Sequence, residues 1–362
     1  MRTNLRVLFV GDSWKGSTAR TFREALAGHP SVMVEEIDSD HYLPLCRSLA
    51  MRAANRLLRQ LQSRELTRAI DVKLKNWRPD VLVIFKGCGI TQRWLAQTKA
   101  PDLLVVNLFP DCSPHAHGRT LRAAMGEYDL VISTKCFHPA GWQSIYGYAN
   151  RCVYVPKGYD PAVHYWPEAP TGHDLDVVMS ATWRPQYHTL MESFADETRD
   201  LSLRVAIAGD GWLSNRRRLP LSWRLLPAVT GRAYGEFLRS GRIAIAPVHR
   251  DLVVDGVRQP GDEDTTRTYE LAAAHCFYVH RRTEYVRTMF DEFSEVPLWD
   301  DATELAMLVR RFLPLDRERH AMAAAAHARA VPRYSSSNRV IELIRHLREA
   351  LSARKASRGE FT

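Results

Sequence analysis

The sequence predicts an α/β protein built from two doubly wound, Rossmann-like domains, and three observations carry this prediction. Short apolar segments alternate with helix-forming segments along the chain, which is typical of open parallel sheets. At 362 residues the chain is too long for one ordinary core and suits two domains. Residues 166–173 combine prolines with a glycine, which favours a helix-free linker. We therefore expect a hinge there, between an N-terminal domain of residues 1–168 and a second domain of residues 173–335.

In the N-terminal domain, each predicted strand is a short run rich in Val, Ile, Leu or Phe that is bounded by turn residues. These strands are at 6–10, 32–37, 81–85, 103–108, 130–134 and 152–155. Helical spacing of apolar residues predicts helices at 19–27, 47–78 and 140–146.

The predicted helix at 47–78 has an unusual charge pattern. Nine Lys or Arg share its polar faces with only Glu65 and Asp71. One interpretation is a solvated basic face over a core-packed stripe; the other is a surface that attracts an anionic acceptor or membrane headgroups. The apolar stripe comprises Leu57, Leu58, Leu61, Leu66, Ile70, Leu74 and Trp77.

The second domain repeats the strand and helix pattern. Strands are predicted at 175–179, 203–208, 243–246, 276–279 and 298–299, and helices at 188–195, 231–238, 271–274, 321–330 and 338–351. Two segments are expected to be loops. Residues 213–229 place arginines among leucines and Trp223, which fits either a loop covering its own domain or a surface for an anionic membrane or lipid-linked acceptor. Residues 250–264 are polar.

Charge and composition limit the partners. The net charge of +9 and a pI near 9.3 indicate an anionic partner: nucleotide phosphates, nucleic acid or an anionic membrane. Nucleic acid is not expected, because no recognised RNA- or DNA-reading motif accompanies the charge. The chain has no run of eighteen apolar residues and enters its first strand directly from Arg6, so we expect a cytoplasmic protein, with peripheral attachment to the inner membrane face as an alternative.

Metal and disulfide chemistry is not expected. The six cysteines are scattered without a CxxC pair, which favours reduced thiols. The acidic run Asp262-Glu263-Asp264 follows Gln259-Pro260-Gly261 instead of a buried strand, so it lacks the context of a transferase metal site.

Several candidate site residues lie where parallel strands end, since ligands bind at that edge of such sheets. Gly11, Ser13 and Ser17 follow the first strand and are candidates for phosphate or acceptor contact, the alternative being a tight turn with Ser17 as helix cap. Lys86 follows the third strand. His115 and His117 follow the fourth, as substrate contacts, as ordinary loop histidines or as metal ligands, although no third ligand is nearby in sequence.

The segment 265–305 carries a more specific pattern. It begins with Arg, any residue, an aromatic residue and Glu, which are followed by small residues and a short apolar strand. After the strand come Thr-Glu, a Phe and acidic residues that precede Glu-Leu. This pattern resembles that of the CgeB-like (spore maturation protein) glycosyltransferases, relatives of glycosyltransferase family 4 with the GT-B fold. One position differs from the family pattern: His275 stands where the family usually has glycine. The matching residues are Arg267, Tyr269, Glu270, Ala273, Thr283, Glu284, Phe290, Glu295 and 300–305.

The resemblance implies the GT-B fold, in which two Rossmann-like domains face each other across a cleft and a terminal helix, here within 336–362, crosses back to the first domain. It also implies a metal-independent transferase of the retaining class that moves a sugar from a nucleotide diphosphate donor to a glycan, lipid-linked or small-molecule acceptor. No cofactor is expected besides this donor substrate. Two other functions stay open: a sugar-nucleotide epimerase and a non-catalytic protein that binds anionic surfaces.

By the same resemblance, Lys86 and Asp111 border the cleft, and Asp111 joins His115 and His117 as candidate catalytic residues. Glu270 is expected to accept hydrogen bonds from the donor ribose, the alternative being an acid favoured by the helix dipole. Arg267 and Arg184 are expected to offset the diphosphate charge. The expected donor-binding residues are Arg184, Gly209, Asp210, Arg267, Tyr269 and Glu270.

Overall fold

The computed structural model describes residues 4–44 and 49–357, and it contains two compact α/β units, each built on a six-stranded parallel sheet. The predicted pair of doubly wound domains is confirmed. The first unit holds the chain up to Pro156, the segment Val253–Pro260 and the chain from Ser337 onward. The second unit holds Lys157–Leu252 and Gly261–Ser336. The strand order of each sheet determines where a ligand site is expected.

The first sheet has the order β2-β1-β3-β4-β5-β6. Its strands are β1 (Leu5–Gly11), β2 (Val32–Asp38), β3 (Val81–Phe85), β4 (Leu104–Phe109), β5 (Leu130–Ser133) and β6 (Arg151–Tyr154). Its helices are α1 (Thr18–Ala27), α2 (Leu49–Trp77), α3 (Gln92–Thr98), α4 (Arg119–Ala124) and α5 (His138–Tyr146). Short 3-10 turns lie at Ser39–His41, Pro114–His117 and Met125–Glu127.

The central strands of this sheet are buried on both faces, which explains why β3 and β4 read as continuous apolar runs instead of alternating ones. One face packs under α1 and the C-terminal helix, whose Val340, Leu343 and Leu347 lie in the same core as β1. The other face packs under α2 through Leu66 and Ile70.

The apolar stripe predicted along α2 is only partly a core stripe, which corrects the sequence interpretation. Leu66 and Ile70 are buried, whereas Leu57, Leu58 and Leu61 are exposed. The helical period is correct, and the sheet supports this 29-residue helix through its second half. Leu57, Leu58 and Leu61 form a solvent-facing apolar strip instead of a core contact.

The second unit begins with a short helix and continues with the second sheet, in the order β14-β13-β10-β7-β8-β9. Its strands are β7 (Leu175–Ser180), β8 (Val205–Ala208), β9 (Arg224–Leu226), β10 (Gly241–Ala246), β13 (Tyr278–Arg281) and β14 (Leu298–Trp299). Its helices are α6 (Pro161–His164), α7 (Pro185–Glu197), α8 (Arg232–Arg239), α9 (Thr266–Ala273), α10 (Glu284–Met289), α11 (Ala302–Phe312) and α12 (Asp316–Ala330), and a 3-10 turn lies at Leu213–Asn215. The terminal helix of the first unit is α13 (Ser336–Ala356).

Residues 213–229 are not an exposed loop with a tryptophan anchor. Leu219, Trp223 and Leu225 are buried in the core of the second unit, and residues 224–226 form strand β9 beside β8. Arg216 donates hydrogen bonds to the carbonyl oxygens of Pro220, Leu221 and Trp223, so it closes the turn before the strand. Trp223 therefore fits the first of the two interpretations, a loop that covers its own domain, and it does not act as an anchor at a headgroup boundary.

The predicted polar loop at 250–264 contains a two-stranded hairpin, β11 (Leu252–Val254) and β12 (Val257–Gln259). Asp255 and Gly256 form its tip with positive φ angles of 51° and 78°. Most of the hairpin belongs to the first unit, where Asp255 pairs with Arg122 and Gln259 accepts a hydrogen bond from Ser113.

His275, the departure from the family pattern, lies just past the end of α9 with a φ of 57°. A left-handed residue at this position is a common way to end a helix, and glycine adopts it without a steric cost. The His275 ring stacks on His327 with centroids 4.4 Å apart. The position therefore serves the end of the helix.

In the described part of the chain, no helix is both long enough and apolar enough to cross a membrane.

Candidate functional site

In the second unit, the strand order reverses between β7 and β10, because β8 and β9 extend the sheet on one side and β13 and β14 on the other. Open parallel sheets bind ligands outside the carboxyl ends of their strands at such a reversal. Ser180 ends β7 at this edge, and α8 and α9 begin there.

Glu270 is the central side chain of this edge. It is buried at 8% exposure, and its Oε2 accepts a hydrogen bond of 2.7 Å from the Tyr234 hydroxyl. His164 Nε2 lies 3.7 Å from Oε1 of the same carboxylate, and Ser180 is hydrogen-bonded to the Tyr234 hydroxyl. Three elements, α6, α8 and α9, thus position one carboxylate.

The electrostatics keep Tyr234 a donor. Burial, together with the charge of Glu270, raises the pKa of Tyr234 well above its ordinary value. The phenol therefore stays protonated and holds one carboxylate oxygen, while Oε1 has, among the described residues, only the longer contact with His164. Arg267 lies three residues before Glu270 on α9, and its buried Nε has no hydrogen-bond partner among the described residues. This side chain has donor capacity for a ligand.

Tyr269, predicted to bind the donor, packs beneath the helix. Its ring is fully buried in the core, and its hydroxyl donates a 2.5 Å hydrogen bond to Asp264. Thr268 makes a 2.8 Å contact with His280, and burial lowers the pKa of His280 to about 4. These contacts fix the rotation of α9, and hence the direction in which Arg267 and Glu270 project.

Gly209 and Asp210 connect the loops that follow β7 and β8. A Cβ on Gly209 would lie 1.9 Å from the Ala181 carbonyl oxygen, so this close approach requires glycine. The Asp210 carbonyl oxygen accepts a hydrogen bond of 2.8 Å from the Trp183 amide. Arg184 follows, exposed at the start of α7. The predicted residues Arg184, Gly209 and Asp210 therefore lie on adjoining loops at the carboxyl edge of the sheet.

In the first unit, the order reverses between β1 and β3, and a cavity of about 470 Å³ lies at that point. Carboxylates and cations both line it. Burial, with Asp12 and Asp38 nearby, raises the pKa of Asp40 to about 6. The charged residues that line the cavity are Asp12, Asp40, Arg56, Arg59 and Lys86.

Lys86, Asp111 and His117, three of the candidate residues from the loops after β3 and β4, form a contiguous cluster. Lys86 Nζ lies 2.8 Å and His117 Nε2 lies 3.0 Å from Asp111 Oδ2. Burial alone would raise the pKa of Asp111, but His117 and Lys86 together hold it below its usual range. Burial likewise opposes the charge on Lys86, yet the Asp111 carboxylate raises the pKa of Lys86. The cluster therefore contains a firmly ionised pair.

His115 points away from this cluster. Its ring packs edge-on against Tyr146 and Tyr148, and burial with the charge of Arg122 lowers its pKa. A different histidine, His138, is buried behind the loop: Nδ1 lies 2.6 Å from Ser133 Oγ, and Nε2 lies 2.8 Å from the Cys112 carbonyl oxygen. His138 thus holds the Asp111 loop from beneath.

The residues after β1 have mainly structural contacts. Ser17 caps α1, accepting hydrogen bonds from the amides of Ala19 and Arg20. A Cβ on Gly11 would meet Phe9 at 2.9 Å, and Ser13 Oγ accepts a weak hydrogen bond from Arg23 at 3.4 Å. The capping interpretation of Ser17 fits this geometry, and ligand contact by Gly11 and Ser13 stays a prediction.

Metal-ligand geometry is absent from the described residues, where no group of three His, Cys, Asp or Glu side chains is arranged to hold an ion. Within that same part of the chain, the five cysteines form no disulfide bond, and Cys46 lies outside it. Burial raises the pKa of Cys88, the thiol nearest Lys86, despite the neighbouring cations. Cys88 is therefore a poor nucleophile.

Comparison with known proteins adds a family match. Residues 184–345 match the sequence model of a family described as "Glycosyl transferase-like". This stretch includes Arg184, Tyr234, Arg267 and Glu270, so the match covers most of the site in the second unit. No curated protein sequence matches the chain closely enough to count as a relative.

Solved structures match over nearly the whole chain. Sucrose-phosphate synthase from Thermosynechococcus elongatus is 11% identical, with a TM-score of 0.68 over 97% of this chain and 100% of that chain. HepE from Anabaena, in complex with UDP and glucose, is 13% identical, with a TM-score of 0.64 over 96% and 100%. A glycosyltransferase from Rickettsia africae is 11% identical, with a TM-score of 0.60 over 96% and 99%. These similarities establish the fold, and the predicted GT-B fold is confirmed.

Proposed function

We propose that this chain is a glycosyltransferase that moves a sugar from a nucleotide diphosphate donor to an acceptor hydroxyl. The observation that carries the proposal is the buried Glu270 carboxylate, held by Tyr234 beside the unsatisfied Nε of Arg267 at the strand-order reversal of the second sheet. The family match across this unit and the complexes of HepE with UDP and with UDP-glucose support the same chemistry.

In this proposal, Glu270 binds the ribose of the donor. An ionised carboxylate accepts hydrogen bonds from two vicinal hydroxyls, and a bond to a charged group contributes more than one between neutral groups. Tyr234 keeps the carboxylate in one rotamer, so little side-chain entropy is lost when the ribose binds.

Arg267 and Arg184 stabilise the leaving diphosphate. Charge grows on the diphosphate oxygens as the anomeric C–O bond breaks, and guanidinium groups already in place stabilise that charge without reorganisation. Since these cations supply the positive charge, we propose transfer without a metal ion. Turnover in the presence of EDTA should then equal turnover without it.

The cluster Lys86, Asp111 and His117 orients the acceptor hydroxyl. His117, held through Nε2 by Asp111, presents Nδ1 as a hydrogen-bonding atom, and Lys86 fixes the carboxylate from the other side.

We propose transfer with retention of anomeric configuration. The acceptor oxygen bonds to the anomeric carbon, the bond to the diphosphate breaks, and the hydroxyl proton passes to the departing phosphate oxygen.

Contact with an anionic membrane, if the acceptor is lipid-linked, is assigned in this proposal to α2. Leu57, Leu58 and Leu61 are exposed there among arginines, a mixture that suits the headgroup boundary. Wild-type protein should sediment with anionic vesicles at low salt, and Leu57→Gln with Leu61→Gln should stay in the supernatant. Wild-type protein that stays in the supernatant would refute this contact.

The function is tested by incubating the protein with a panel of nucleotide sugars, UDP-glucose first, with and without an acceptor mixture. Release of nucleoside diphosphate that depends on the acceptor mixture and disappears in Glu270→Gln is the expected result. Interconversion of the donor sugar without acceptor would instead identify an epimerase. If the protein neither binds nor turns over any nucleotide sugar, only a non-catalytic role is left.

A further inference from the structure

A basic groove of about 830 Å³ lies beside the candidate catalytic cluster of the first unit. It runs between α2, the start of α3 and the turn that precedes α4. Four arginines and His117 line it together with Trp94, and the described residues that line it include no carboxylate. The arginines are Arg59, Arg64, Arg93 and Arg119.

These arginines are exposed and available. Within residues 4–44 and 49–357, none of the four guanidinium groups forms an ion pair or a side-chain hydrogen bond. Many other arginines of this chain do have acidic partners, as Arg310 has Asp200 and Arg282 has Asp300. Four like charges converging on one groove repel each other, so an anion that binds there relieves an existing repulsion.

The chemistry of the lining favours a phosphate group. A guanidinium fork matches two phosphate oxygens at once, and a phosphate or diphosphate concentrates two or three negative charges that several arginines share. A single carboxylate carries one charge and engages fewer of them. Trp94 supplies an apolar wall beside these cations.

We propose that this groove binds the phosphate or diphosphate of a phosphorylated acceptor. The inference rests on the proposed transferase function and adds the chemical class of the acceptor. The groove shares Arg59 and Cys88 with the cavity at the strand-order reversal, and His117 joins it to Asp111. An acceptor anchored by its phosphate in the groove therefore presents its hydroxyl to the cluster Lys86, Asp111 and His117.

The test compares two triple variants that remove the same charge. The groove variant carries Arg64→Ser, Arg93→Ser and Arg119→Ser. The control variant carries Arg68→Ser, Arg217→Ser and Arg317→Ser, three exposed arginines that do not line the groove. All six side chains are exposed, so both variants should fold, which circular dichroism and the melting temperature verify.

Calorimetric titration with inorganic pyrophosphate at physiological salt gives the main readout. Each lost charge-assisted hydrogen bond weakens binding by about tenfold or more, so the groove variant should bind at least tenfold more weakly than the control variant. Equal affinities in the two variants and the wild type would overturn the proposal. Equal weakening in both variants would also overturn it, because the effect would then be that of net charge alone.

Two further probes separate the sources of the phosphate. Glucose 6-phosphate represents a soluble acceptor and farnesyl diphosphate a lipid-linked one, and whichever loses more affinity in the groove variant identifies the source. If the groove variant binds both compounds as tightly as the wild type does, the proposal is overturned.

Titration with UDP distinguishes this inference from the proposed function. Both triple variants should bind UDP as the wild type does, since the nucleotide site lies in the other unit. Absence of UDP binding in the wild type would count against the donor site, whereas the pyrophosphate comparison still decides the groove.

Discussion

At the scale of single residues, Glu270 is the side chain on which the proposed donor site depends most. Replacement by Gln keeps the volume and the Tyr234 contact but removes the charge that the ribose hydroxyls meet. A hydrogen bond to a charged group contributes about 1.5 to 3 kcal/mol, so kcat/KM for the donor should fall about ten- to a hundredfold in Glu270→Gln. Steady-state kinetics measure this, and an unchanged kcat/KM in a folded variant would place the donor elsewhere.

Tyr234→Phe, compared with Glu270→Gln, tests whether the Tyr234 hydroxyl positions the Glu270 carboxylate. It removes one hydroxyl and leaves the carboxylate charged, so kcat/KM should fall by about threefold to tenfold, less than for Glu270→Gln. The loss should appear mainly in KM for the donor, because the hydroxyl only holds the carboxylate in place. A loss larger than that of Glu270→Gln would show that Tyr234 acts on the substrate directly.

Asp40 makes stability depend on pH. Burial with Asp12 and Asp38 raises the pKa of Asp40 from 3.8 to about 6, so the folded state holds this proton more tightly than the unfolded state. The stabilising contribution is complete below about pH 4 and is lost as the pH rises through 6. The cations Arg56, Arg59 and Lys86 line the same cavity, and the pKa of Asp40 is raised despite them.

We therefore expect Asp40→Asn to raise the free energy of unfolding at pH 7.5 relative to wild type, and the gain to disappear at about pH 4. Urea denaturation at the two pH values measures it. A variant that is less stable than wild type at pH 7.5 would contradict the assignment.

Part of the site followed from local sequence. Arg267 and Glu270 stand at the start of a helix and match a motif, and Lys86 and Asp111 directly follow buried strands. Tyr234 could not be found this way, because it contacts Glu270 from 36 residues away. His115 and His117 are two residues apart and were equal candidates, and only the turn at Pro114–His117 separates their directions.

At the scale of elements, α2 is the helix whose two halves should respond differently to substitution. Leu66 is 1% exposed under the sheet, whereas Leu61 is 57% exposed. Leu66→Ala should cost about 2 to 5 kcal/mol of unfolding free energy through lost burial and a cavity. Leu61→Ala, the same change five residues earlier, should stay within about 0.5 kcal/mol of wild type. Equal costs, measured by urea denaturation, would contradict the packing of α2.

Strand β9 and the hairpin β11–β12 were missed because they are short. Strand β9 has three residues and includes Arg224, so its pattern does not distinguish it from a loop, and its parallel pairing with β8 provides the missing support. The hairpin β11–β12 has exposed Val253 and Val257 and no core contact that periodicity would reveal. Longer apolar runs such as β3 and β4 were predictable because both of their faces are buried.

At the scale of the whole molecule, the fold class was predictable because each strand and helix repeats one local pattern. The strand orders were not, since they depend on which faces pack together. The sequence also did not predict that Val253–Pro260 belongs to the first unit, because this depends on contacts with residues far away in the sequence, such as Arg122. These orders matter for function: both candidate sites lie where the order of a sheet reverses.

The most direct test of the central claim is the melting temperature of wild-type protein and of Glu270→Gln with UDP, GDP and ADP. A nucleoside diphosphate at a hundredfold excess over its dissociation constant should stabilise the wild type by about 2.7 kcal/mol. At the same concentration it should stabilise Glu270→Gln far less. No shift with any nucleoside diphosphate, or the same shift in both proteins, would contradict a nucleotide site built around Glu270.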